Sequence, residues 1–189
     1  MTEQPHAPGV RLFHFSDDPA IGRFEPRPVA VSSARPPGRE WLNGPLVWAI
    51  DDWHQPLYLF PRDCPRILIW PTDATTPNDR VALWGERRAR MIAYVERAWH
   101  ARIRTGHIYR YELPAEAFEP LDDAGMQVSR EAVDPLGVER FGDLRAALEA
   151  AGVEVHVLPS LAPLRPLFAT TLHASGIRLR NSPGWQDSA

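Results

Sequence analysis

The residues most able to do chemistry sit inside an aromatic run. In Leu12-Phe13-His14-Phe15-Ser16, His14 and Ser16 are two apart, so on an extended chain they share one face, opposite Phe13 and Phe15. An imidazole beside a hydroxyl suits a ligand-facing strand, and it equally suits the wet face of a sheet. A second candidate is Ser129-Arg130-Glu131, where a glutamate follows a short alternating segment. A carboxylate there could stabilise a developing oxocarbenium ion or bond a sugar hydroxyl. If the chain turns into a helix instead, Ser129 caps it and Glu131 occupies the first turn. A third is Pro61-Arg62-Asp63-Cys64-Pro65-Arg66, in which prolines restrict the backbone. Arg62 and Arg66 could clamp a phosphate bidentately, or they could belong to an internal Arg–Asp network. In Asp51-Asp52-Trp53-His54, two acids and a histidine could bind a metal. Neighbouring strand residues point apart, however, and zinc sites usually bring more His or Cys, so a capped turn is expected and no metal site is assigned.

The composition narrows the remaining chemistry. All 21 basic residues are arginine, and there is no lysine. That excludes a P-loop, a Schiff-base enzyme, an S-x-x-K hydrolase and a protein kinase. No G-x-S-x-G elbow occurs, and Cys64 lies beside Pro65 without a helix N-terminus to activate its thiol. Acid–base work therefore falls to His, Glu, Asp, Tyr, Ser or Cys64, and His14 with Glu131 fits best. The net charge of −3, with both signs interspersed, carries no strong nucleic-acid signature. A single cysteine permits no intrachain disulfide. Residues 1–10 lack an apolar signal region, and no run approaches the ~18 apolar residues of a membrane helix, so a cytoplasmic protein without a membrane partner is expected.

These residues need elements to hold them. Alternation predicts strands at 11–16, 107–113 and 153–158, a short strand is expected at 126–129, and short apolar runs predict buried strands at 46–50 and 67–70. Asp17-Asp18-Pro19 suits a short helix start, and residues 51–59 a short helix or turn. Ile92, Val95, Trp99 and Ile103 form a helical stripe that predicts a helix over 87–103, stopped by Gly106. Asp143 and Gly152 bracket a helix over 143–151, and a last helix is expected over 164–174. Strands and helices follow no βαβ rhythm. The expected fold is therefore α+β: a single domain over 11–180 with a curved, mostly antiparallel sheet and peripheral helices, between tails at 1–10 and 181–189.

The segments L-F-H-F-S-D-D-P-A-I-G-R-F-E-P-R, V-W-A-I-D-D-W-H-Q-P-L-Y-L-F-P-R-D-C-P-R, I-Y-R-Y-E-L-P and V-S-R-E-A-V-D-P-L resemble a family of small bacterial proteins of unknown function. More weakly, the histidine-bearing first strand, the strand V-W-A-I-D-D leading to Tyr58, and the late glutamate of V-S-R-E resemble the ADP-ribosyltransferase-like fold. That resemblance implies a nucleotide ligand: His14 would bind the ribose of NAD, Tyr58 would stack on nicotinamide, and Glu131 would stabilise the ribosyl oxocarbenium ion. Tyr109 and Tyr111 compete for the stacking role. Such folds also serve as binding modules without catalysis, so a non-enzymatic small-molecule or partner-binding protein stands as the alternative.

Overall fold

A computed structural model describes residues 9–185. The strands are β1 (Leu12–Ser16), β2 (Val47–Asp51), β3 (Arg66–Trp70), β4 (Met91–Glu96), β5 (His107–Leu113), β6 (Glu119–Pro120), β7 (Met126–Ser129), β8 (Gly137–Gly142), β9 (Val153–Leu158) and β10 (His173–Ile177). The helices are α1 (Pro77–Asp79), α2 (His100–Thr105) and α3 (Leu144–Ala150), accompanied by several 3-10 turns. The fold is α+β. One sheet has six strands in the order β6-β7-β2-β1-β5-β8, the other four in the order β10-β3-β4-β9. Among the registered pairs only β4–β9 is parallel. The chain divides into two compact units, one from Met1–Gln55 with Tyr109–Arg140, the other from Pro56–Ile108 with Phe141–Ala189. The expected tail at residues 1–10 lies almost wholly outside the described residues, as do residues 186–189. No helix among the described residues is long and apolar enough to cross a membrane.

In the first unit, β1 is a central strand between β2 and β5. Its Leu12 joins Val47, Ala49, Tyr111, Leu113, Phe24, Phe118 and Val133 in one buried apolar cluster. On its opposite face Phe13, 1% exposed, lies between the guanidinium groups of Arg11 and Arg110, 5.0 and 4.5 Å from its ring centre. No helix starts at Asp17-Asp18-Pro19. Ser16 Oγ accepts the Asp18 N–H at 3.1 Å, and Asp18 Oδ1 accepts the Ala20 N–H at 2.8 Å, so the side chains build a turn in place of a helical ladder.

In the second unit, β3 and β4 are buried on both faces and carry its core. The helix expected over 87–103 is corrected here. Residues 91–96 are strand, and only His100–Thr105 is α-helical. Ile92 and Val95 lie on opposite faces of β4, and both are buried because the strand has neighbours on either side and above and below. A strand buried all round satisfies a helical stripe by coincidence. Gly106 does end α2: a Cβ there would strike the Arg102 carbonyl oxygen. Asp143 caps α3, accepting the Ala146 N–H at 3.2 Å. The helix expected over 164–174 is also corrected. Pro163 and Pro166 hold 162–169 in 3-10 turns, and residues 173–177 then pair with β3 as β10.

The chain remains engaged beyond Arg180. Glu96, at the end of β4, is 3% exposed; its Oε1 accepts the Ser182 hydroxyl at 2.6 Å and the Leu161 N–H at 3.3 Å. One buried carboxylate thereby pins two distant segments to the end of β4. Replacing Ser182 by Ala leaves Glu96 short of a donor, and urea unfolding is expected to show a loss of about 1–3 kcal/mol. An unchanged midpoint would show that the carboxylate does not depend on this bond.

Candidate functional site

The ladder between β1 and β2 is short. It consists of Leu12↔Asp51 and Phe13↔Ile50 alone, whereas β1 pairs with β5 at five positions and β2 with β7 at four. Where the ladder stops, the His14 side chain takes over: Nδ1 lies 2.8 Å from the Trp48 carbonyl oxygen. A carbonyl only accepts, so Nδ1 carries the proton, and in the neutral ring the lone pair resides on Nε2. The half-buried imidazole lies 4.8 Å from the Phe24 ring at 54°. Phe24 is itself fixed by two backbone bonds with Val133, of 2.8 and 2.9 Å. Tyr111, paired directly with His14, donates its hydroxyl to Asp18 O at 2.7 Å and accepts the Ile21 N–H at 3.1 Å, tying down the loop that carries Phe24.

Strand parity fixes what shares the face of His14. Phe13 opposes Ile50, so Ala49 lies on the other face, with Leu12 and His14; Ala49 and Val47 pair with Gln127 and Ser129. The His14 face of β1, β2 and β7 thus presents His14, Ser16, Ala49, Gln127 and Ser129. Ser16 is buried and its hydroxyl serves the turn at Asp18. Glu131 lies in a bend two residues past β7, and no helix starts there. Ser129 Oγ accepts the Glu131 N–H and donates to the Glu131 carbonyl, each at 3.2 Å, so the serine fixes the glutamate's backbone. The Glu131 side chain is exposed and its carboxylate has no hydrogen-bond or ion-pair partner among the described residues. Nearby acids are engaged: Glu119 by Arg130 at 2.9 Å, Asp134 by Arg23 at 2.8 Å.

Tyr58, Arg62 and Arg66 belong to the second unit. Arg66 is 2% exposed. Its Nε donates to Leu57 O at 2.7 Å and its Nη1 to Cys64 O at 2.9 Å, with the guanidinium 5.0 Å from the Phe60 ring centre and 5.6 Å from that of Tyr58. Burial pulls its pKa down to about 10. Two of its donor atoms are thus used within the chain. Arg62 is exposed, and the two guanidinium groups do not share one surface. Neither does Asp63 pair with Arg66; carbonyls and rings do that work. Cys64 is fully buried, and burial pushes its thiol up to about 12.

Asp51 and His54 form a tight turn. Asp51 Oδ1 accepts the His54 backbone N–H at 2.7 Å and its Nδ1–H at 2.8 Å. Asp52 instead accepts from Gln55 Nε2 at 2.8 Å. Among the described residues no group of three or more His, Cys, Asp or Glu side chains is placed to hold a metal ion. Gly125 lies against this pair at φ +72°, where a Cβ would collide with both the His54 ring and the Asp51 carboxylate.

The profile of a family of unknown function, DUF6886, matches residues 13–182. The chain belongs to this family. The matched span contains His14, Ser16, Tyr58, Arg62, Arg66 and Glu131, and the family description assigns no activity to any of them. No curated protein and no solved structure matches the chain significantly. Two polar members of the site went unread in the sequence, Gln127 and the role of Ser129 as a backbone clamp. Their signal was the alternation of M-Q-V-S, which sends both to one face.

Two outcomes check this description. Gly125→Ala is expected to cost about 2–4 kcal/mol in chemical denaturation, since it adds left-handed strain to a collision; a loss below measurement error would contradict the packing at Asp51–His54. At pH 8 a thiol at about 12 is ionised in roughly one molecule in ten thousand, so Cys64 should resist Ellman's reagent in the folded protein and react fully once unfolded.

Proposed function

We propose that the first unit binds NAD or a related nucleotide, and that ADP-ribosyl transfer is the reaction its side chains suit. The observation that carries this reading is the fixed imidazole of His14. Trp48 O accepts the Nδ1–H, which fixes the orientation and tautomer of a ring on the strand face that also carries Ser16, and a fixed imidazole suits recognition of a ribose hydroxyl. Support comes from Glu131. Its carboxylate is unpaired among the described residues, and Ser129 holds its backbone at the end of a strand two removed from β1, roughly 10 Å away at ordinary strand spacing. In the reaction, the bond from ribose C1′ to the nicotinamide nitrogen breaks and the pair of electrons leaves with nicotinamide. The cationic ribosyl carbon is stabilised by a carboxylate until a nucleophile of the acceptor bonds to C1′. Tyr58, Arg62 and Arg66 carry no part of this reading.

One observation favours binding without catalysis. The Glu131 carboxylate is exposed, and a charge in water stabilises a developing cation weakly. Calorimetry with NAD followed by nicotinamide release separates the cases. Saturable binding with slow nicotinamide release, and release cut by about 100-fold or more in Glu131→Gln with binding retained, is the result expected of a transferase. Binding without release would make the protein a nucleotide-binding module. No binding at millimolar NAD on folded protein would overturn the proposal, and release that survives Glu131→Gln would overturn the role of Glu131.

A further inference from the structure

β9 closes one end of the second sheet. The order β10-β3-β4-β9 gives it β4 as its single strand neighbour among the described residues. Beyond Val153 its residues are half-buried, whereas β3 and β4 are buried almost throughout. Apart from the ladder to β4, no hydrogen bond reaches the main chain of Val153–Leu158 among the described residues. Alternate residues of such a strand turn their N–H and C=O groups away from the neighbour, so β9 carries an open row of donors and acceptors. Edge strands are ordinarily blunted against pairing. β6 has two residues and contains Pro120, β8 begins and ends in glycine, and β10 carries Gly176. β9 has six residues, neither proline nor glycine, and Val153, Val155 and Val157 in alternation, a composition suited to pairing.

We propose that this edge pairs with the same edge of a second copy of the chain, antiparallel about Val155, joining two four-stranded sheets across a two-fold axis. The charges of V-E-V-H-V carry the choice of partner, because a carboxylate precedes Val155 and an imidazole follows it. Centred there, Val155 meets Val155, Val153 meets Val157, and Glu154 meets His156 on both sides of the axis. Directly opposed residues stand about 4.5–5.5 Å apart, and opposite charges so placed attract. Within one strand Glu154 Oε1 already lies 2.6 Å from His156 Nε2, so the paired edges present acid and imidazole alternating in both directions. Arg87 lies 3.5 Å from the other carboxylate oxygen. A carboxylate has about four acceptor sites, so Glu154 retains capacity for a second imidazole. His156 Nδ1 has no hydrogen-bond partner among the described residues and is a second donor when the ring is protonated. Centring the pair on Glu154 or on His156 would set like against like, and that selects the register. The contact uses one patch on both copies and closes on itself.

Sedimentation equilibrium of the full chain is expected to show a dimer, and cysteine substitution reads the register. Residue 155 meets its own copy at the axis within disulfide reach, so Val155→Cys should give a covalent dimer on oxidation with copper phenanthroline. Val157→Cys faces Val153 of the other copy and should not, and Cys64 is buried away from the reagent. His156→Glu opposes carboxylates on both sides of the axis and should weaken the dimer on the order of tenfold, with the fold retained by circular dichroism. Exchanging the two residues, Glu154→His with His156→Glu, reverses the pairing and should restore the dimer. A chain still monomeric at about 100 µM would overturn the proposal. So would a dimer indifferent to His156→Glu, or Val157→Cys crosslinking as fast as Val155→Cys. If His156→Glu does not fold, the comparison of the two cysteine variants decides.

Discussion

The first unit is organised around a ladder that stops early. β1 is held to β5 along its whole length, and β2 to β7 over four positions, but β1 and β2 share only two pairs. Beyond them the Trp48 carbonyl needs a donor, since a buried carbonyl without one is costly. His14 Nδ1 supplies it at 2.8 Å. This one bond substitutes a side chain for a strand and fixes the tautomer of a ring whose residue shares its face with Gln127 and Ser129. Phe24 and Tyr111 then hold the ring from its own side of the sheet, 4.8 Å from the imidazole in one case and directly paired with it in the other.

The second unit solves a different problem, two buried charged side chains. Arg66 lies within a core of strands, and its charge is met by carbonyls and aromatic faces without a carboxylate. Burial of a cation is expensive, and the downward shift of its pKa to about 10 registers that cost. Glu96, next to the Val95 that pairs with Arg66, is satisfied by a hydroxyl and a backbone N–H from segments some 65 and 86 residues away in sequence. Each charge draws distant loops onto the sheet, and both are framework, which is why an arginine beside rigid prolines is here a structural residue.

Local signals made part of this legible in the sequence. The strands at 107–113, 126–129 and 153–158 occur with the expected bounds. Asp143 announces α3 because capping is chemistry within four residues. β4 carries a helix-like stripe because a strand enclosed by neighbours loses its period of two, and the information that encloses it lies in β3 and β9. β10, H-A-S-G-I, has weak strand propensity and exists through its pairing with β3. At the site, His14 was visible as a polar interruption of an aromatic strand. Its partner Trp48 O was not, since a main-chain acceptor has no sequence signature. Gln127 was hidden for a related reason: only the register of β2 on β7 shows that it shares the face of His14.

The proposed nucleotide site depends on His14 being held in one tautomer by Trp48 O. Long-range nitrogen–proton correlation NMR of the imidazole reads this directly, with the resonance assigned through His14→Gln. A ring protonated at Nδ1 in the free protein, with an Nε2 resonance that moves saturably as NAD is added, is the expected result. An Nε2-protonated ring, or an Nε2 resonance unmoved at millimolar NAD, would contradict it.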